Sequence, residues 1–156
     1  MPEDVYKFYY MLLTNHPVLR GADYYSITLR NFNRQNENYI SFRRHRIIFN
    51  KVVKSKNIKL PLTILLNQDE KELLKNVIKN NKTDYLRGDD TLSHFKNVFR
   101  TRNKKYFNLP KGISIFRRYF YSKLKIDKNV KEQFMKILNI AKQQNHSLET
   151  TMMYYV

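Results

Sequence analysis

NYISFRRHRIIF, residues 38–49, decides the fold class. Its β-branched and aromatic residues alternate in part with polar ones, the pattern of a half-buried strand. With YYSITLR at 24–30 it predicts two or three strands. IKLPLTI at 58–64 predicts another, and Pro61 puts that strand at a sheet edge, because a proline nitrogen cannot donate to a ladder. On the N-terminal side, DVYKFYYMLLT at 4–14 reads as a helix capped by Asp4, with Pro2 ahead of it and Pro17 closing it. On the C-terminal side the period changes to that of a helix. Leu73, Leu74, Val77 and Ile78 mark a helix over 68–80, and Asn67 with Glu70 resembles a capping box. Leu92, Phe95, Val98 and Phe99 mark another over 90–101, with Asp89 or Asp90 as its cap. Beyond Pro110 and Gly112 come a helix with an aromatic face at 113–125, one at 128–143 striped by Val130, Phe134, Ile137, Leu138 and Ala141, and a short one at 147–155. The expected fold is α+β and mostly helical: a small antiparallel three-stranded sheet packed against about six helices. At 156 residues, with no Gly/Ser/Pro-rich linker, the default is a single domain over 1–156.

Charge narrows the function. Thirty Lys and Arg against 13 Asp and Glu give a net charge of +17, more than solubility requires of a small domain. Such an excess is relieved by a polyanion, which releases its condensed counterions on binding, so nucleic acid is the expected partner. The chain has no Cys, which excludes a disulfide scaffold and thiolate zinc sites. Residues 1–13 lack the form of a signal peptide, and no apolar run is long enough to cross a bilayer. The expected location is intracellular, with the genome, with no membrane partner and no secretion.

His16, His45, His94 and His146 show no i, i+3 or i, i+4 pairing and no joining carboxylates, so no metal site is expected. No glycine-rich phosphate loop is present, and no cofactor is expected. What remains is cations and tyrosines, an inventory that can act on a phosphodiester without a metal. A Tyr supplies a nucleophile, the planar fork of Arg matches two phosphoryl oxygens, and Lys or His can protonate the leaving oxygen.

The order of these residues carries a resemblance. HPVLRGADYYSITL (16–29) places Arg20 before a predicted strand, and FNKVVKSKNIKLPLTI (49–64) places Lys54 near a strand-to-strand turn. ISIFRRYFYSKL (113–124) puts Arg117 on a helix, and QQNHSLETTMMYY (143–155) puts His146 nine residues before Tyr155. This series resembles the catalytic domain of the tyrosine recombinase, or phage-integrase, family over roughly residues 6–156. HPVLRGAD is similar to the family's Pro-x-x-Arg-x-x-Asp/Glu stretch, and NHSLETT to its Gly-His-Ser-x-x-x-Thr-Thr box.

The resemblance implies a site-specific recombinase that cleaves and rejoins double-stranded DNA through a 3′-phosphotyrosyl intermediate, without metal or ATP, as a homotetramer on DNA, with a monomer in its absence as the alternative. It implies that Arg20 and Arg117 clamp the scissile phosphate, Lys54 protonates the 5′-oxygen, and His146 hydrogen-bonds the same phosphate. Tyr155 is the implied nucleophile, with Tyr154 the alternative if the spacing is counted from Thr150 and Thr151. Arg118, Lys51, Lys56 and Ser114 are the implied DNA contacts around them. There are three departures. Ser114 stands where the family has His or Lys, nothing before Met1 forms the family's N-terminal DNA-clamping domain, and the sequence stops one residue after Tyr155. The alternatives are a DNA-binding protein on the same scaffold with its chemistry lost, and an unrelated basic packaging protein.

Overall fold

A computed structural model describes residues 1–17, 19–29, 36–54, 59–109, 111–116, 118, 128–145 and 147. The chain forms two compact units, Met1–Phe120 and Tyr121–Val156. The architecture is α+β and dominated by helix, with one three-stranded antiparallel sheet.

In the first unit, α1 (Glu3–Asn15) buries Val5, Tyr6, Phe8, Tyr9, Leu12 and Leu13, one apolar face repeating at helical spacing. Pro2, not Asp4, occupies its N-cap position, and Asp4 lies inside the first turn. The helix stops at His16, whose backbone is extended, as a residue preceding proline prefers. A five-residue helix, α2 (Gly21–Tyr25), follows.

The sheet has the order β1 (Tyr39–Ser41), β2 (Arg46–Phe49), β3 (Leu62–Leu65). The stretch 38–49 is thus a hairpin, turning through residues 42–45, with His45 in left-handed backbone. Ile40 pairs with Ile47 and Ile47 with Ile64, so one buried row crosses all three strands. β3 is an edge strand, with Pro61 just before it.

Over its described residues, 24–29, the expected strand at 24–30 does not form. Residues 24 and 25 end α2, and Thr28 makes isolated bridges to Tyr39 and Tyr85. Tyr24 and Ile27 are both fully buried, three residues apart, so their bulk serves the core from a helical turn rather than a ladder.

α3 (Gln68–Asn80) has the expected capping box, with the Glu70 amide donating to Asn67 Oδ1 at 2.8 Å and the Asn67 amide donating to Glu70 Oε1 at 2.9 Å. α4 (Leu92–Phe107) is longer than its predicted span and is capped by Thr91, not by Asp89 or Asp90. Its end comes at Asn108, which takes the left-handed conformation often left to glycine. Phe95 and Phe99 lock α4 against α1: ring centroids stand 5.2 Å from Tyr9 to Phe95 and 5.8 Å from Tyr9 to Phe99, both edge-on. Such pairs add about 0.5–1.5 kcal/mol each beyond the area they bury. Residues 114–116 and 118 are helical, and Ile113 and Phe116 complete the core.

In the second unit, α5 (Lys128–Gln143) fits its predicted span. Its apolar stripe is covered unevenly, since Ala141 is buried while Val130 and Phe134 are exposed. Of the expected helix at 147–155 only Ser147 is described, and it is not helical. Among the described residues no helix is long and apolar enough to cross a membrane.

Candidate functional site

The start of α2 and the segment after β2 are held together by one buried carboxylate. Asp23 is 4% exposed. Its Oδ2 accepts the Arg20 backbone N–H at 3.1 Å, and its Oδ1 accepts that of Val53 at 2.8 Å, thirty residues away. The Asp23 amide donates back to the Arg20 carbonyl at 3.0 Å. Bonds to a charged acceptor are the strong ones, so this residue fixes two loops at once.

A second buried polar residue extends the tie. Asn38 Oδ1 accepts the amides of Asn50 (2.9 Å) and Lys51 (3.1 Å), and its Nδ2 donates to Ser26 Oγ at 2.7 Å. Ser26 Oγ in turn donates to the Asp23 carbonyl at 2.8 Å. Asp23, Ser26 and Asn38 thus join the backbone of Arg20 to that of residues 50–53. Arg20 and Lys54 are exposed at the two ends of this tie, as is Lys51.

The result is a cleft of about 300 Å³ lined by Arg20, Val53, Lys96, Ile113 and Ser114 over the Gly21 backbone. Four chain segments distant in sequence meet there. Its described lining carries two cations and no carboxylate. Gly21 lies so close that a Cβ added to it would stand 3.3 Å from Ile113 Cδ1 and 3.9 Å from Lys96 Cε.

Of the residues expected from sequence, Arg20 and Ser114 line this cleft. Lys54 directly follows a lining residue, and Arg118 is exposed four residues after Ser114. Lys56, Arg117, His146, Tyr154 and Tyr155 lie outside the described residues. Two participants were not singled out from sequence. Asp23 had a visible signal, three residues after Arg20 within the quoted motif. Lys96 had none, because one lysine in a chain with 30 basic residues carries no local mark.

Several tyrosines can be set aside as nucleophiles because they are structural. Tyr6 Oη donates to Asn103 Oδ1 at 3.1 Å, and Tyr9 Oη donates to the Tyr24 carbonyl at 3.0 Å. Burial pushes the Tyr6 phenol up to about 12 and the Tyr9 phenol well above its ordinary value, the opposite of activation. Tyr24 Oη accepts the Leu19 amide at 3.1 Å, which steadies the backbone next to Arg20. Among the described residues no three His, Cys, Asp or Glu side chains gather as metal ligands. No family model, curated protein or solved structure matches this chain.

Proposed function

We propose that the chain is a DNA strand transferase of the tyrosine-recombinase type, working on double-stranded DNA without metal or ATP. The observation that carries the proposal is the cleft itself. Arg20 and the segment leading to Lys54 resemble the family in sequence, Ser114 stands at the position where the family has His or Lys, and residues 20, 53 and 114 line one cavity. A basic packaging protein has no need of such convergence. The net charge of +17 supports DNA as the partner.

On this reading the Tyr155 phenol attacks the scissile phosphorus and releases its proton to solvent water. The P–O5′ bond breaks, Lys54 protonates the departing 5′-oxygen, and a 3′-phosphotyrosyl bond forms. Because that bond replaces the one broken, rejoining needs no external energy. Arg20 and Arg117 stabilise the phosphoryl oxygens, where charge grows in the transition state. His146 and Ser114 donate to the same group, and Lys51, Lys56 and Arg118 hold the flanking backbone. Exchange between two duplexes calls for four copies assembled on DNA. The neutral Ser114 favours the competing reading, a DNA binder that has lost its chemistry.

A duplex nicked beside the cleavage site, which releases a short fragment and traps the intermediate, separates these readings. The expected result is a covalent protein–DNA adduct that is absent in Tyr155→Phe. Loss in Tyr154→Phe instead shifts the nucleophile by one residue. Absence of any adduct with tight DNA binding supports the inactive scaffold, and equal binding to any polyanion supports a packaging role.

A further inference from the structure

We infer that Lys96 is a further cation of the phosphoryl-binding cleft, beside Arg20 among the described residues, and that its ammonium stabilises a non-bridging oxygen of the scissile phosphate during strand cleavage. This rests on reading the cleft as a phosphoryl-transfer site. A phosphodiester carries one negative charge, and attack by an oxygen nucleophile concentrates a second on the non-bridging oxygens. Arg20 supplies one positive charge at the described lining, and Ser114, a neutral donor, supplies none. Lys96 is the other described cation that lines the cavity.

Its placement is built, although its head is exposed. The preceding residue, Phe95, is fully buried, with its ring 5.6 Å from that of Tyr25 on α2 and 5.1 Å from that of Phe99. That contact fixes the rotation of α4 against the element that follows Arg20. Thr91 caps α4, its hydroxyl accepting the His94 amide at 3.2 Å, so the turn bearing Lys96 is not a frayed end. The lysine stem reaches over the first residue of α2, with Cε 3.9 Å from where a Cβ on Gly21 would be. The Lys96 carbonyl lies 4.0 Å from where a Cβ on Gly112 would be, so the strand of chain leading to Ser114 runs beside the same turn. Arg20, Lys96 and Ser114 therefore reach one cavity from three anchored segments.

The test is single-turnover cleavage of the nicked duplex with enzyme in excess, on two substrates. One carries an ordinary scissile phosphodiester, and the other a methylphosphonate, in which a methyl group replaces one charged oxygen. On the phosphodiester, Lys96→Ala is expected to cleave about 10²-fold more slowly, the usual cost of losing one donor to a developing oxyanion, and Lys96→Arg to recover most of the rate. The methylphosphonate is neutral before attack and gathers a single negative charge on its one non-bridging oxygen, which Arg20 can balance, so Lys96→Ala should come within about tenfold of the unaltered protein on it. Lys104→Ala, at the far end of α4, controls for net charge and should cleave normally on both. If the unaltered protein cleaves and Lys96→Ala matches it, or is slowed equally on both substrates, the assignment to Lys96 is overturned while the enzymatic reading stands. If the unaltered protein forms no adduct with either substrate, the enzymatic reading falls and takes this one with it.

Discussion

Replacing Asp23 by Asn keeps the shape of a buried side chain and removes half of what it accepts. The carboxylate takes the Val53 amide at 2.8 Å and the Arg20 amide at 3.1 Å. A carboxamide has one oxygen, so one of these N–H groups would face an NH2 instead. A hydrogen bond to a charged group is worth about 1.5–3 kcal/mol, and an orphaned buried donor adds to that loss, so Asp23→Asn should destabilise the first unit by about 3 kcal/mol. Asp23→Ala orphans both amides and should cost about 5 kcal/mol, a large share of a domain's usual stability. Asn is therefore the better probe. Denaturant titration should show a lower midpoint with an unchanged slope. Native-state hydrogen exchange should show the Arg20 and Val53 amides exchanging about a hundredfold faster, as the tie between the two loops opens locally. Strand cleavage should slow as well, although Asp23 touches no substrate, because it positions Arg20 and the approach to Lys54. A stability loss below about 0.5 kcal/mol, the usual scatter for surface changes, with both amides still protected, would refute the claim that this carboxylate organises the cleft.

Arg20→Ala should fold normally, because the side chain is exposed, while adduct formation falls about 10²–10³-fold, as measured by single-turnover cleavage. Lys54→Ala should lose cleavage on an ordinary substrate and regain it when the 5′-bridging oxygen is replaced by sulfur, a leaving group that needs no proton; no rescue would remove Lys54 from the acid role. Arg43 and Arg44 stand in the β1–β2 turn, at the other end of β2 from Lys51 and Lys54, so the pair Arg43→Ala/Arg44→Ala should leave cleavage rates unchanged, whereas bulk charge alone would make all four residues equivalent. The Arg87 guanidinium lies 3.8 Å from the ring centres of both Tyr25 and Tyr85 and donates to the Tyr25 carbonyl at 2.9 Å, so Arg87→Met should lower stability by about 2 kcal/mol in denaturant titration. The Tyr6 phenol is raised by burial from its ordinary 10.0 to about 12, so its contribution is complete below pH 10 and lost as pH rises through about 12. Tyr6→Phe should flatten that alkaline fall, read by circular dichroism across the same range.

The strand character of 38–49, though not its turn, and the helices at 3–15, 68–80 and 128–143 were legible because their periodicity persists over whole elements. The failures were local. Tyr24, Ile27 and Thr28 look like strand residues by composition, yet a five-residue helix is too short to leave a period. Thr91 took the cap of α4 from two neighbouring aspartates. Asp90 instead faces the N-terminal amine at 3.6 Å and His94 at 3.6 Å. The cleft was half legible. Arg20 and Ser114 are marked by motif spacing, but Lys96 arrives through the packing of Phe95 on Tyr25, a tertiary contact with no trace in the residues around it.

The central claim is that duplex DNA places a phosphate in the cleft at the head of α2. Isotope-labelled protein titrated with a short duplex, followed by nuclear magnetic resonance, tests it directly. The side-chain Nε of Arg20, the Nζ of Lys96 and the Ser114 amide should shift together and saturably, while the Arg43 and Arg44 amides stay in place. Shifts that gather on the β1–β2 turn and leave Arg20 and Lys96 untouched would contradict the account.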